Sequence, residues 1–250
     1  MHKYSMPLLV VAVTLAAAPV KAQSKGGLLA GVEVEKKINR QLSVGVEGEM
    51  RTRNNFKTMD RWKLGVGVDY KPLKHLKLSA GYNLLNQNFR EDIDLKSSGA
   101  YNHWRPSYWG VRHRFYAGLT GSYKFGNNLK LSLRERWQYT YRPEKTVSRW
   151  DFDDDTWEDK VRSGKGKHLL RSRLEIAYDK KRALLTPYAN IELFNSLGIE
   201  KIRYTVGTDI RLSKQHSLGV FYRFQNMKNV DADDYDPDMH YLGLGYKLKF

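Results

Sequence analysis

Apolar and polar side chains alternate along almost the whole chain. Residues 62–70 are typical, because Trp, Leu, Val, Val and Tyr take every second position, with Lys, Gly, Gly and Asp between them. Such alternation predicts a β-strand whose two faces meet different surroundings. Eleven segments show it: 28–37, 42–50, 62–70, 76–84, 114–125, 129–142, 170–178, 185–193, 202–212, 218–224 and 241–250. No stretch of comparable length has a helical period, so the sequence predicts an all-β protein.

The connections between these segments alternate in length. The short ones are 71–75, 126–128, 179–182 and 213–216, and the long ones are 53–60, 86–108, 143–167 and 226–239, with 195–199 as a shorter member of the second set. Tight turns at one end and long loops at the other are typical of a transmembrane, antiparallel, up-and-down β-barrel of the bacterial outer membrane. Most segments also have the roughly 9–11 residues that a tilted strand needs to cross a bilayer.

The strand count is left open between ten and twelve. An even number is expected when both chain ends stay on the periplasmic side. Either the segment 28–37 is not a complete crossing, which gives ten strands, or a further strand lies in the N-terminal segment or a long loop, which gives twelve. Twelve is slightly favoured.

The first 22 residues have the features of a secretory signal peptide. His2 and Lys3 form a short basic start, an apolar run follows, and the sequence Val-Lys-Ala before Gln23 is a small-residue cleavage site. The apolar run is shorter than the roughly 20 residues that a membrane-spanning helix requires. We therefore expect residues 1–22 to be removed and residues 23–250 to form one barrel domain.

The composition is unusual for a membrane protein, since 28% of the residues are charged and the mean hydropathy is −0.63. A transmembrane barrel explains this, because only one face of each strand has to be apolar. The net charge of +16 would ordinarily suggest a nucleic-acid partner. The predicted export and the lack of a recognition motif argue against such a partner. The chain has no cysteine, which excludes disulfides and thiolate metal sites.

The C-terminal segment ends on an aromatic residue. Tyr246, Leu248 and Phe250 occupy one face of the last predicted strand. This ending resembles the signal by which the outer-membrane assembly machinery recognises its clients. Aromatic side chains also gather near the ends of other predicted strands, as in the interfacial girdles of membrane barrels. We expect a monomer in the cell outer membrane, in contact with its lipids and with lipopolysaccharide, and with no bound cofactor.

The second face of the predicted strands is crowded with charge. Arginine and carboxylate side chains at alternate positions would meet in the barrel lumen as a charge network of Glu49, Arg51, Arg134, Arg136, Arg171, Arg173, Glu175, Glu192, Arg203, Asp209 and Arg211. Guanidinium groups pair well with carboxylates, and a small barrel is only about wide enough for its own side chains. A salt-bridged, largely plugged lumen is the first interpretation, and a narrow anion-preferring channel is the alternative.

A lipid-modifying enzyme is the third hypothesis, although its candidate residues do not form a catalytic pattern. A serine nucleophile needs a histidine within hydrogen-bond reach, but His168 and Ser172 lie four residues apart on one face, about 13 Å along a strand. His113 is predicted on the lipid side, the adjacent His216 and Ser217 point to opposite faces, and His103 lies alone in a loop. We predict no catalytic residue.

Two predicted loops are rich in aspartate, at 151–159 and 231–238. Asp231, Asp233 and Asp236 offer oxygen ligands of the kind that Ca²⁺ prefers. The glycine and the final glutamate of an EF-hand loop are missing, so solvated loop charge is the simpler interpretation and the metal site is a weak hypothesis.

Three stretches carry a resemblance to a known family: VGVEGEMRTR at 44–53, LTPYANIELFN at 185–195, and IRYTVGTDIRLSKQHSLGVFYRFQ at 202–225. They resemble a family of uncharacterised outer-membrane β-barrels of Bacteroidetes-type bacteria, known only as a domain of unknown function. The matching positions are Glu49 and Arg51, Pro187, Tyr188, Glu192 and Phe194, and Arg203 and Tyr204. The resemblance implies a fold and a location, and it supplies no catalytic residues.

Overall fold

The computed structural model describes residues 25–126, 128–228 and 237–250, and these residues contain fifteen β-strands. The strands are β1 (Lys25–Lys37), β2 (Leu42–Arg53), β3 (Thr58–Leu73), β4 (Leu76–Phe89), β5 (Asp92–Leu95), β6 (Tyr101–Arg105), β7 (Tyr108–Lys124), β8 (Leu129–Arg142), β9 (Lys145–Asp151), β10 (Thr156–Arg162), β11 (Lys165–Tyr178), β12 (Leu185–Asn195), β13 (Ile199–Arg211), β14 (His216–Met227) and β15 (Met239–Lys249). The predicted signal peptide and the proposed ligands Asp231, Asp233 and Asp236 lie outside the described residues.

Eleven of these strands close into a barrel, in the order β1-β15-β14-β13-β12-β11-β8-β7-β4-β3-β2. The all-β barrel prediction is confirmed, and eleven falls within the predicted range of ten to twelve, although twelve had been favoured. The odd number arises at one seam, where β1 pairs with β15 in parallel, from Lys25 opposite Met239 to Glu35 opposite Lys249. The expectation of a wholly antiparallel barrel is wrong at this seam alone.

The two ends of the barrel differ in their connections. At the turn end the strands are joined by the short segments 38–41, 74–75, 125–128, 179–184 and 212–215. The opposite end, here called the loop end, carries the two longest described connections. The predicted long loop at 53–60 is shorter than expected, because β2 and β3 extend to within four residues of each other. Since β1 runs parallel to β15, Lys25 lies at the loop end and Lys37 at the turn end.

The two longest connections, predicted as loops, contain strands. The β4–β7 and β8–β11 hairpins continue beyond the barrel as β5, β6, β9 and β10, which form a separate four-stranded sheet. Its order, β10-β9-β6-β5, repeats the order β11-β8-β7-β4 of the barrel strands below it. We call it the hairpin sheet. The sequence did not predict it because each strand has at most seven residues, and Pro106 and Pro143 interrupt the alternation.

The barrel exposes its apolar side chains and buries its charged ones. Leu64 and Val66 on the outer face are 57% and 53% exposed, whereas Glu192 and Arg203 on the inner face are 5% and 6% exposed. Soluble proteins have the reverse distribution, with charged residues almost never fully buried unless they are paired. No helix long and apolar enough to cross a membrane is found in the described part of the chain.

Glycines on the inner face make room for one aromatic ring. Gly67 of β3 pairs with Gly81 of β4, and Gly81 pairs with Tyr116 of β7. A Cβ atom at either glycine would come within 3.0 Å of the Tyr116 hydroxyl, and at Gly81 it would also collide with the backbone oxygen of Val66. The two glycines therefore let the tyrosine lie flat against the inner wall.

Candidate functional site

Glu192 of β12 is the centre of one buried group of ion pairs in the lumen. Its carboxylate lies 2.5 Å from Nη2 of Arg134, 2.8 Å from Nη2 of Arg171 and 3.8 Å from Nη1 of Arg203. The guanidinium groups of Arg171 and Arg203 also lie 4.6 and 4.5 Å from the centre of the Phe194 ring. Alternation along β12 places Glu192 and Phe194 on the same inner face, so both contact the same arginines.

Glu49 of β2 forms a second group on another part of the inner wall. Its carboxylate accepts a hydrogen bond of 2.8 Å from Nε of Arg51 and lies 3.7 Å from Nζ of Lys63 and 3.9 Å from Nη2 of Arg61. Arg51 of this group and Arg203 of the Glu192 group are 7% and 6% exposed, so both groups include a buried arginine.

Many inward side chains near the two groups of ion pairs are shielded from solvent. Eight of the eleven barrel strands contribute at least one inward side chain that is less than 9% exposed. Near the two groups of ion pairs, the buried inward side chains are Leu29, Arg51, Asn83, Leu85, Gln138, Glu192, Phe194, Arg203, Thr205, Gln225, Met239 and Tyr241. We call them, with the ion pairs of Glu49 and Glu192, the central layer. These twelve side chains are buried inside the barrel.

The structure brings together most, though not all, of the residues predicted for the charge network. Six of the eleven lie in the two groups of ion pairs. Arg136 lies over the Tyr116 ring, and Arg173 lies 3.5 Å from Glu175. Asp209 and Arg211 are exposed near the turn end, and no ion pair within 4.0 Å is found for either in the described part of the chain. Arg61 and Lys63 also belong to the Glu49 group, and the alternation of β3 could have identified both.

A polar cavity of about 400 Å³ lies between the central layer and the turn end. We call it the turn-end chamber. Its carboxylates are paired with lysines: Glu33 and Glu35 with Lys247, and Asp69 with Lys77. The sequence analysis left the role of 28–37 open, although its alternation already placed Glu33 and Glu35 on one face. The chamber is also lined by Arg134, Arg136 and Arg173.

Glu135 of β8 is a charged residue on the apolar outer face, and the sequence analysis missed it. Among the described barrel residues it is the only charged side chain that points outward away from the strand ends. Its Oε2 atom accepts a hydrogen bond of 2.6 Å from the hydroxyl of Ser172 on β11. Leu133 and Trp137, the next outward residues along β8, are 52% and 44% exposed.

Replacing Glu135 by leucine is expected to stabilise the barrel. A carboxylate at the middle of a lipid-facing surface is unfavourable, so the free energy of unfolding from lipid vesicles should rise by about 1–2 kcal/mol. Glu91→Leu, in an exposed connection, is the control and should change it by less than about 0.5 kcal/mol. Destabilisation by Glu135→Leu would mean that the bond to Ser172 is needed for the fold.

The hairpin sheet carries the one group of metal-ligand type found among the described residues: His103, Asp151 and Glu158. Nε2 of His103 lies 3.3 Å from Asp151 and 3.4 Å from Glu158. Hydrogen bonds from the backbone N–H groups of Asp153 and Asp154, together with His103, lower the pKa of the Asp151 carboxyl. Nε of Arg149 already donates to the Glu158 oxygen that faces His103. The arrangement is a polar contact between the two hairpins, which pair through only two residue pairs.

The histidines considered as catalytic residues have other partners. His113 hydrogen-bonds to the Tyr82 hydroxyl at 2.7 Å, and His216 to the Tyr246 hydroxyl at 2.5 Å. His168 lies against the rings of Trp137 and Tyr139. Ser172 is bonded to Glu135 instead of a histidine. No serine–histidine pair is formed by these candidates.

Comparison with known proteins identifies the family and supports the fold. The model of the DUF2490 family, described as a protein of unknown function, matches residues 27–236, and the chain therefore belongs to this family. No curated protein matches. The β-domain of the Bordetella autotransporter BrkA superimposes with a TM-score of 0.52 at 13% identity, over 84% of this chain and 82% of the other.

A second solved structure, the monoaromatic hydrocarbon channel CymD, is more distant. Its TM-score is 0.40 at 9% identity, over 77% of this chain and 66% of the channel. The similarity to the autotransporter β-domain shows that the chain has the fold of an outer-membrane β-barrel, and the family membership assigns no activity.

Proposed function

We propose, for this member of a family without an assigned activity, that the protein is a closed β-barrel of the outer membrane that holds the hairpin sheet at the cell surface. The observation that carries the proposal is the central layer, because its buried ion pairs and apolar side chains support a filled lumen. Charged rings select ions only in pores that water can enter. The low exposure of Leu85, Gln138 and Tyr241, at 0%, 2% and 4%, is that of a filled interior.

Conductance of the purified barrel in planar lipid bilayers tests this proposal. A closed lumen predicts no steady single-channel steps at moderate voltage. Regular steps that recur in every insertion would contradict it. Heat-modifiable migration of the same preparation on a gel should be checked first, so that the absence of current comes from folded protein.

A narrow anion-preferring channel is the second candidate, and the excess of arginine over carboxylate in the lumen favours it. Arg134, Arg136 and Arg173 line the turn-end chamber. Positive charge of this kind in a water-filled passage would favour anions. If this candidate is correct, the conductance steps will be present and will reverse at a potential that indicates anion selectivity in a salt gradient.

The apolar outer face supports contact with outer-membrane lipids, and the outward Tyr246 and Leu248 of β15 support recognition by the assembly machinery. Tyr246 and Leu248 lie on the outer face of β15, and Phe250 is 52% exposed. The Phe250 backbone is bonded to β1, through its oxygen to Lys37 and its N–H to Glu35. The terminal residue is thus fixed at the seam where the barrel closes.

The parallel seam gives a prediction about orientation. If the loop end faces the exterior, as in outer-membrane barrels, Lys25 lies at the cell surface and Lys37 on the periplasmic side. The chain has no cysteine, so a membrane-impermeant maleimide should label Lys25→Cys in intact cells. Lys37→Cys is the matched control on the same strand and should react only after the outer membrane is permeabilised. The reverse pattern would contradict the proposed orientation.

A further inference from the structure

Four arginines occupy facing positions on two neighbouring barrel strands. Arg136 of β8 lies directly opposite Arg171 of β11, and Arg134 lies directly opposite Arg173. We call these residues the arginine quartet. Like charges directly opposite each other on antiparallel strands destabilise a sheet. An arrangement of this kind needs negative charge nearby.

Protein carboxylates supply only part of that charge. Glu192 pairs with Arg134 and Arg171, and Glu175 lies 3.5 Å from Arg173. No carboxylate within 4.0 Å of Arg136 is found among the described residues. Its guanidinium lies 4.4 Å from the centre of the Tyr116 ring, and its buried Nε atom has no hydrogen-bond partner there. Burying an unpaired charge is costly.

Three of the four arginines face a cavity. Arg134, Arg136 and Arg173 line the turn-end chamber, whose volume of about 400 Å³ lies within the range of small-molecule sites. Seven basic and four acidic side chains line this chamber. Glu33, Glu35 and Asp69 are already paired with lysines, so Arg136, for which no ion pair is found among the described residues, can bind a solute anion, with Arg173 nearby in the same lining.

We propose that Arg136 and Arg173, two members of the arginine quartet that line the turn-end chamber, bind the phosphate group of a small solute that enters it. The guanidinium fork matches the oxygen geometry of phosphate and forms paired, charge-assisted hydrogen bonds with it. A phosphate between Arg136 and Arg173 would supply negative charge to Arg136, which faces the guanidinium of Arg171 across the two strands. The solute is inorganic phosphate or a phosphate monoester, since the closed wall of strands separates the chamber from lipid headgroups on the outer face.

Calorimetric titration of the folded barrel in detergent at low ionic strength tests the inference. The probes are sodium phosphate and glycerol 3-phosphate, with sodium chloride as the reference. We expect saturable binding of at least one phosphate probe, and tighter binding of glycerol 3-phosphate would identify the monoester as the preferred class. If neither phosphate probe gives more heat of binding than sodium chloride does, the proposal is overturned.

Substitutions of the lining arginines test where phosphate binds. Arg136→Gln should weaken binding at least tenfold, and Arg136→Lys, which keeps the charge without the fork, should weaken it less. Arg173→Gln, on the other strand, provides a second test if Arg136→Gln folds poorly. Arg40→Gln, in an exposed turn, should bind as the unaltered protein does. Unchanged affinity in folded Arg136→Gln and Arg173→Gln would contradict the assignment.

The proposed phosphate site and the proposed closed lumen can be contradicted independently of each other. Single-channel steps would overturn the closed lumen and leave the phosphate titration unaffected. Conversely, a barrel that neither conducts nor binds phosphate would support the closed lumen and contradict the arginine site.

Discussion

Replacement of Glu192 by glutamine is expected to lower the free energy of unfolding of the barrel by about 3–5 kcal/mol. Removing one partner of a buried ion pair leaves uncompensated charge, and here Arg134, Arg171 and Arg203 all lose the same carboxylate. The amide keeps the size of the side chain, so loss of charge dominates the effect. Urea unfolding from lipid vesicles, followed by tryptophan fluorescence, measures it.

Glu91→Gln is the control for Glu192→Gln, because Glu91 is exposed between β4 and β5. The free energy of unfolding of the Glu91→Gln variant should differ from that of the unaltered barrel by less than about 0.5 kcal/mol. If Glu192→Gln changes stability no more than this control, the central layer is not a buried ion-pair network.

Replacement of Gly81 by valine is expected to destabilise the barrel by about 3 kcal/mol or to prevent its folding. Overpacking a filled interior costs roughly 1–3 kcal/mol and occasionally more. At Gly81 the added atoms would meet the Val66 backbone oxygen as well as the Tyr116 hydroxyl. The backbone cannot move aside without breaking the pairing of β3 and β4. The yield of heat-modifiable barrel on refolding into vesicles reports the loss.

Gly121→Val provides the matched control for Gly81→Val. Gly121 lies on β7, and a Cβ atom there would meet no atom within 4 Å. The added methyl groups would extend the apolar outer face, so refolding should be unchanged or slightly improved. Equal loss of refolding in both variants would mean that valine in a strand, and not the crowded inner wall, causes the effect.

The barrel wall could be predicted from the sequence because its period is two and each face meets a uniform environment. The eleven alternating segments correspond to the eleven barrel strands, and the inward position of Glu49, Arg51, Glu192 and Arg203 follows from parity alone. The partners of these side chains also depend on strand neighbours. β8 lies beside β11 because the hairpin sheet connects them, which brings Arg134 close to Glu192.

Other features of the fold depend on contacts between strands, which the alternation of residues along a single strand does not specify. The parallel seam joins residues more than two hundred positions apart, such as Lys25 and Met239, and nothing in either segment specifies its direction. The alternation of β13 places Asp209 and Arg211 on the inner face with the other residues predicted for the charge network. They lie near the turn end, where their charges meet solvent instead of oppositely charged side chains. Glu135 breaks the apolar alternation of β8, and the segment was still correctly identified as a strand because its other outward residues are apolar.

Spin-label accessibility along β3 tests the central claim, that the apolar face of the strands meets hydrocarbon and the charged face fills the lumen. Single cysteines at positions 62, 63, 64, 66 and 68 would carry a nitroxide in the barrel reconstituted in lipid. The account predicts that labels at Trp62, Leu64, Val66 and Val68 collide readily with oxygen dissolved in the bilayer, while a label at Lys63, in the Glu49 group of ion pairs, is shielded from both oxygen and a water-soluble nickel chelate. Ready access of the chelate to the even-numbered positions would contradict it.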